Sequence, residues 1–265
     1  MTLLKEDLVL EKEYDNNRLL VREEHELLSH EIELIESAKF NGLAKIEAWT
    51  AVGTNKEMSY ATHGAFRYFG KFPPPIATYL ISKYTNEGDL VWDPMCGSGT
   101  TGVEALLMNR RSILSDVNPL SRLLARVKTR YIDRKTLEDA VQRVVDLYSP
   151  ANENEYPIDS LQAINVDHWF LSETQQSLRG LRRAIESENN EKVREFLLLV
   201  FAATIRRVSR ATTQQGRLFL DVETACVDAL PTFLKRAEIA INGVSSIPNN
   251  GEETIEVIDH NLKQP

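Results

Sequence analysis

Apolar residues along this chain change their spacing several times, and each change predicts a different element. From Thr2 to about Ala48, Leu20, Leu27, Leu28, Ile32 and Ile35 recur at helical spacing with glutamates between them. That pattern predicts a helical arm whose apolar stripe packs either on its own domain or on a partner. Ile76 to Tyr84 predicts a helix opened by the preceding prolines. Two short apolar runs, Leu90-Val91-Trp92 and Ser112-Ile113-Leu114, predict strands. From Asp133 to about Ile241 the spacing is mainly helical again, carried by Leu137, Ala140, Val141, Val144 and Val145 and by Val193, Phe196, Leu197, Val200 and Phe201. Asn152 to Ile158 reads as a loop, Asn189-Asn190 as a helix break, and Gly243 to Gly251 as a polar linker. Residues Glu252 to Asp259 then alternate polar and apolar, as a terminal strand does. The predicted organisation is a helical arm over 1–50, a ligand-binding segment over 51–132, a helical insert over 133–245, and a linker with a strand over 246–265.

The chemistry concentrates where the first predicted strand ends. Asp93-Pro94-Met95-Cys96-Gly97-Ser98-Gly99-Thr100-Thr101 passes from the strand through two glycines into a predicted helix. That is the strand–loop–helix opening of a nucleotide-binding α/β unit. Glycines let backbone approach a ligand and adopt φ values that a Cβ forbids. Hydroxyls and amides at a helix start favour a carboxylate or phosphate. The loop lacks G-x-G-x-x-G, and no lysine follows its glycines to cradle a phosphate. Asp93 instead sets a carboxylate beside the loop, suited to a ligand ammonium. Asp116 ends the next strand about twenty residues past Gly97, where an acidic side chain takes ribose hydroxyls. Ammonium partner, open glycine loop and ribose clamp together point to S-adenosylmethionine. The plainer alternative is a structural glycine turn beside a surface aspartate.

The same residues carry a family resemblance. Asp93 to Thr101 resembles the first motif of DNA methyltransferases that modify exocyclic amines, at adenine N6 or cytosine N4. His63-Gly64-Ala65-Phe66-Arg67-Tyr68-Phe69-Gly70-Lys71-Phe72-Pro73-Pro74 is similar to the segment before that motif, and Asp116-Val117-Asn118-Pro119-Leu120 to the family's second motif. The likeness runs from about Thr62 to Thr129. Met95 stands where the family more often has Phe. The resemblance implies an α/β fold, a partial Rossmann-like methyltransferase sheet with a large helical insert and the helical N-terminal arm. It assigns Asp93 to the methionine ammonium and the backbone of Pro94, Met95, Cys96, Gly97, Ser98 and Gly99 to close approach. Thr100, Thr101 and Lys71 fall to the methionine carboxylate, and Asp116 to the ribose. Phe72, Pro73, Val117 and Asn118 line the pocket, and Asp259, in a stretch similar to the third motif, meets the adenine amine.

The resemblance also implies a catalytic [Asp/Asn/Ser]-Pro-Pro-[Tyr/Phe/Trp] loop, whose polar group and proline-fixed carbonyl hold the target amine while the aromatic stacks on the extruded base. No proline of the chain sits in that pattern. Pro73-Pro74-Pro75 has neither its polar nor its aromatic member, and Ser149-Pro150 runs into Ala151. The expectation is therefore a split enzyme: this chain as the S-adenosylmethionine-binding subunit, with a second methyltransferase subunit supplying the catalytic loop and target recognition on double-stranded DNA. No residue of this chain is assigned a catalytic role. A non-catalytic cofactor- or DNA-binding regulatory subunit and an RNA methyltransferase fragment stand as alternatives.

Charge and composition adjust this picture. A net charge of −8 is unusual for a chain that meets phosphates. It leaves DNA contact either to the partner or to a local cluster, Arg206, Arg207 and Arg210 with Arg217 after a polar stretch. Such a run also suits a solvated helix end. Cys96 and Cys226 offer no disulfide framework, the scattered histidines no metal site. The charged opening from Met1 to Glu13 and apolar runs no longer than Phe196 to Ala203 predict a cytoplasmic protein with no membrane span.

Overall fold

The computed structural model describes residues 32–40, 44–51, 54, 56–156, 165–214, 217–223 and 227–259. Its centre is a three-stranded parallel sheet of β3 (Leu90–Asp93), β4 (Arg111–Ser115) and β7 (Ile255–Ile258), in the order β3-β4-β7. Leu90 pairs with Arg111 and Asp93 with Leu114, while Ser112 pairs with Ile255 and Ser115 with Ile258. Between β3 and β4 runs α2 (Thr100–Leu107), a βαβ unit. The fold is a partial Rossmann-like α/β sheet with a helical insert. Because all three strands point the same way, Asp93, Asp116 and Asp259 come to the same carboxyl edge, where open α/β sheets bind ligands.

The helices start where side chains can satisfy their first amides. Pro74 and Pro75 open α1 (Pro74–Tyr84). Asn118 caps α3 (Pro119–Thr129), its side-chain oxygen accepting from the Leu120 amide at 3.0 Å. Asp133 caps α4 (Arg134–Leu147), and Asn190 caps α7 (Glu191–Val208) by accepting from the amides of Lys192 and Val193. Asp228 caps α8 (Ala229–Val244). With α6 (Ser172–Glu186), helices α3, α4, α7 and α8 close one core around Leu124, Leu137, Leu181, Phe196, Leu197 and Phe233. A smaller core of Leu106, Leu114, Ala125, Ile247 and Ile255 lies against the sheet. Since α3 feeds both cores, the insert is packed directly onto the strand–loop–helix unit. Among the described residues no helix is long and apolar enough to cross a membrane.

Three stretches differ from the sequence expectation. The helical arm does not extend to Ala48: β1 (Ile32–Phe40) and β2 (Ala44–Ala51) form an antiparallel hairpin, with Phe40 opposite Ala44 and Ile32 opposite Ala51. The sequence carries the competing signal. Ile32, Leu34, Ala38 and Phe40 share a period of two, interrupted by one register shift, and Asn41-Gly42 is a strong hairpin dipeptide. Leu20, Leu27 and Leu28 lie outside the described residues. Within the insert, β5 (Ala211–Gln214) and β6 (Arg217–Leu220) form a second hairpin where a polar connection was expected. Finally, α8 runs to Val244 and a turn of helix, α9 (Gly251–Thr254), replaces the first half of the predicted terminal strand.

Candidate cofactor site

The glycine loop joins β3 to α2 and takes its shape from two left-handed residues, Gly97 at φ 51° and Gly99 at φ 74°. A Cβ on Gly99 would stand 2.9 Å from the Ala125 Cα, a backbone atom that cannot give way. A Cβ on Gly97 would stand 3.3 Å from the Tyr68 ring. The loop closes on itself where the Gly99 amide donates to the Cys96 carbonyl at 2.8 Å, and it is tied to β4 where the Cys96 amide donates to the Ser115 carbonyl at 2.9 Å.

Its two nearest carboxylates are already oriented. Asp93 accepts from the Thr101 hydroxyl at 2.6 Å and from the Met95 amide at 3.1 Å. Asp116 accepts from the Gly97 amide at 2.9 Å and from the Asn118 amide at 2.8 Å, so it clamps the glycine loop to the tip of β4. An ionised carboxylate has about four acceptor positions, and each of these keeps capacity for a ligand donor. Asp259 lies past the end of β7, largely exposed, and pairs with Arg122 at 2.9 Å. Arg122 also donates to the Asp116 and Val117 carbonyls at 2.8 and 3.1 Å, which joins the second and third acidic positions.

The remaining predicted residues fall into two groups. Phe72, Met95, Val117 and Asn118 are exposed around the loop, with Met95 at 75% and Val117 at 61%, while Lys71, Pro73, Pro94 and Thr101 are half-buried. Lys71 donates to the His63 carbonyl at 3.3 Å, and burial pulls its ammonium below the usual lysine range. Cys96, Ser98 and Thr100 are buried. The Thr100 hydroxyl turns inward, so the amide at this first helical position is what Thr100 can offer a ligand. Burial, then the charges of Asp93 and Asp116, push the Cys96 thiol up to about 12, which leaves it a packing residue rather than a nucleophile.

Arg206 and Arg210 make contacts within the fold. Arg206 donates to the Ala211 carbonyl at 2.7 Å, and Arg210 reaches the carbonyls of Asp221 and Val222 at the base of the second hairpin. Arg207 is exposed and lies near enough to Arg236 to pull that guanidinium down, after burial, from its ordinary range. Arg217 opens β6, and its side chain lies outside the described residues.

Three contributors to the site carried no assignment in the sequence: Tyr68, Arg122 and Lys128. Tyr68 packs on Gly97 and exchanges a hydrogen bond with Ser121 at 2.9 Å. Lys128 signalled itself weakly, as a lysine on the same helical face as Ser121, Leu124 and Ala125. A cavity lined by Arg126, Arg130, Lys192, Glu252 and Val257 lies elsewhere, behind α3. Arg126 and Arg130 pair there with Glu195, and Lys192 with Glu252. Among the described residues no cluster of three or more His, Cys, Asp or Glu side chains could hold a metal.

A donor-rich ligand fits this edge, since each strand tip presents an acceptor-only carboxylate around a loop opened by glycine. The sequence comparisons agree. Residues 8–122 match the DNA methylase family profile of the N6/N4 type, and residues 76–180 match the RMKL-like methyltransferase domain. Over these residues the chain is similar to the DNA methylases. It is 29% identical over 174 residues to the type II methyltransferase M.MjaII of Methanocaldococcus jannaschii, covering 63% of this chain and 33% of that one. It is 28% identical over 176 residues to the type II methyltransferase M.MvaI of Kocuria varians, covering 62% and 38%. Orphan methyltransferase M.BamHII of Bacillus amyloliquefaciens is 36% identical over 87 residues, covering 32% and 33%. The chain thus spans about a third of the length of the curated proteins it matches. No solved structure matches. Methylases of the N6/N4 type draw their methyl group from S-adenosylmethionine.

Proposed function

We propose that this chain is the S-adenosylmethionine-holding subunit of a split, site-specific DNA methyltransferase acting on an exocyclic amine, adenine N6 or cytosine N4. A second polypeptide supplies the catalytic loop and the base-reading surface. The observation that carries this reading is the carboxyl edge of the sheet, where Asp93, Asp116 and Asp259 follow the three strands on the side that carries the left-handed glycine loop. Asp93 takes the methionine ammonium, Asp116 the ribose hydroxyls, and Asp259, held by Arg122, the adenine amine. Lys71, Thr101 and the Thr100 amide face the methionine carboxylate, with Phe72, Pro73, Val117 and Asn118 around the pocket. Bound there, the sulfonium cofactor supplies an electrophilic methyl group, and this chain's share is to hold and orient it.

The flank of the sheet supports a completing partner. Among the described residues β3 pairs only with β4, and its Leu90 and Trp92 side chains are 51% and 57% exposed. Parallel sheets are ordinarily covered on both faces, and an open apolar edge strand invites another strand. The matched relatives, with about two thirds of their length outside the similarity, contain enough further chain for that half. Duplex DNA is the substrate class that the methylase likeness favours, as part of a restriction-modification system, and Arg207 is an exposed member of the basic cluster for a phosphate contact.

The test is a methylation assay on duplex DNA with the purified chain, alone and with the protein encoded beside it. The chain alone is expected to bind S-adenosylmethionine without turnover, and adding its complement is expected to start methyl transfer. Ordinary turnover by the chain alone overturns the divided enzyme, and absence of cofactor binding in the assembled form overturns the site.

A further inference from the structure

Behind the glycine loop lies a buried polar cluster that the roles above leave unused. Lys128, near the end of α3, has no exposure at all, and its ammonium donates to the Ser98 carbonyl at 2.6 Å. Its own carbonyl accepts from the Thr62 hydroxyl at 2.9 Å. On α2, Glu104 is equally buried and accepts from the Tyr60 hydroxyl, His63 Nε2 and the Thr78 hydroxyl at 2.7, 2.7 and 2.5 Å. The segment ahead of Lys71, the glycine loop, α2 and α3 are thereby bolted together from behind.

An apolar side chain of similar length would fill the Lys128 site at lower cost, because burying an ammonium forfeits its hydration. Burial, reinforced by the charge of Lys71, pulls the Lys128 ammonium down to about 7, while Glu104 and Cys96 pull the other way. The acceptor it grips is informative. Ser98 sits between the two left-handed glycines, and a planar peptide whose oxygen is fixed also has its Gly99 amide fixed. That amide closes the turn on Cys96.

We propose that Lys128 is a positioning residue for the cofactor, holding the Ser98 carbonyl inward so that the glycine loop keeps the shape that receives the methionine end of S-adenosylmethionine. The inference rests on the reading of this loop as the cofactor site. A charged donor grips a carbonyl more strongly than a neutral amine does, so the hold relaxes as Lys128 loses its proton. The groups facing it are Lys71 and His63 from the preceding segment, Glu104 from α2 and Cys96 from the loop.

The experiment is calorimetry of S-adenosylmethionine binding to the full chain and to Lys128→Met, from pH 6 to pH 9. The ligand's own ammonium titrates in both, so the readout is the affinity ratio. It is expected to be about tenfold in favour of the wild type at pH 6 and to close to about twofold at pH 9. A ratio that stays constant with pH reduces Lys128 to a space-filling residue and overturns the proposal. Should Lys128→Met not fold, the Gly99 amide resonance of the wild type is followed against pH. A midpoint near 7 is expected, and a flat resonance overturns the proposal. A wild-type chain that binds no cofactor at any pH instead removes the reading of the site, while the Gly99 titration still tests the lysine's grip.

Discussion

Asp116 works on both sides of the loop it borders, because the carboxylate that faces the ribose in the proposed complex also holds the Gly97 and Asn118 amides. Asp116→Ala is expected to weaken S-adenosylmethionine binding by about 1–3 kcal/mol, the loss of charge-assisted hydrogen bonds, and unchanged affinity by calorimetry would remove the assignment. Gly99→Ala meets two obstacles: a left-handed φ, and a Cβ 2.9 Å from the Ala125 backbone. It is expected to cost about 2 kcal/mol or more and to lower the thermal midpoint by several degrees, and an unshifted melt would show that the loop can relax. Asp93, Asp116 and both glycines were legible in the sequence because their chemistry is local to one strand–loop–helix. Lys128, Arg122 and Tyr68 were not, since each acts on a backbone 30, 6 or 29 positions away, and Arg122 further on Asp259.

The helices were legible for a related reason: their apolar periods and caps lie within one stretch of chain. In α7, Phe196 is fully buried in the larger core. Phe196→Ala is expected to cost about 3–5 kcal/mol in denaturant unfolding, and a loss below about 1 kcal/mol would mean that the core collapses around the cavity. The two hairpins were harder. Residues 32–35 satisfy a helical stripe and a strand alternation at once, and pairing across Asn41-Gly42 decided between them. The β5–β6 pair is short and polar, and Arg206 and Arg210 hold its base through backbone carbonyls, contacts that a charge run does not advertise. The same contacts give Arg206 and Arg210 a structural use beside the nucleic-acid contact that the sequence suggested, and Arg207 is exposed.

For the molecule as a whole, buried titratable groups set the response to acid. His63 is buried, and burial, against the pull of Glu104, brings its imidazole down to about 4 from an ordinary 6.5. Between those values the unfolded chain binds a proton that the folded chain does not, so stability falls as pH drops from about 6.5 to about 4. Lys128 acts with the same sign at higher pH: depressed to about 7, it lets stability rise as pH climbs from 7 toward the ordinary lysine range. Thermal melts across pH 4 to 9 are expected to show both limbs, and His63→Gln to flatten the acid one; a profile level from pH 4 to pH 6.5 would contradict the buried neutral imidazole. Local order and composition were enough to announce the βαβ opening, the caps, the helical insert and the acids that end two strands, because hydrogen-bonding and steric rules act between near neighbours. Folding had to add the rest: that Asp259 joins Asp93 and Asp116 on one edge, that Leu90 and Trp92 of β3 stay exposed among the described residues, and that a lysine from α3 lies behind the loop. Those follow from packing distant segments into one low-dielectric interior, where a buried charge must find its partner wherever the chain brings one.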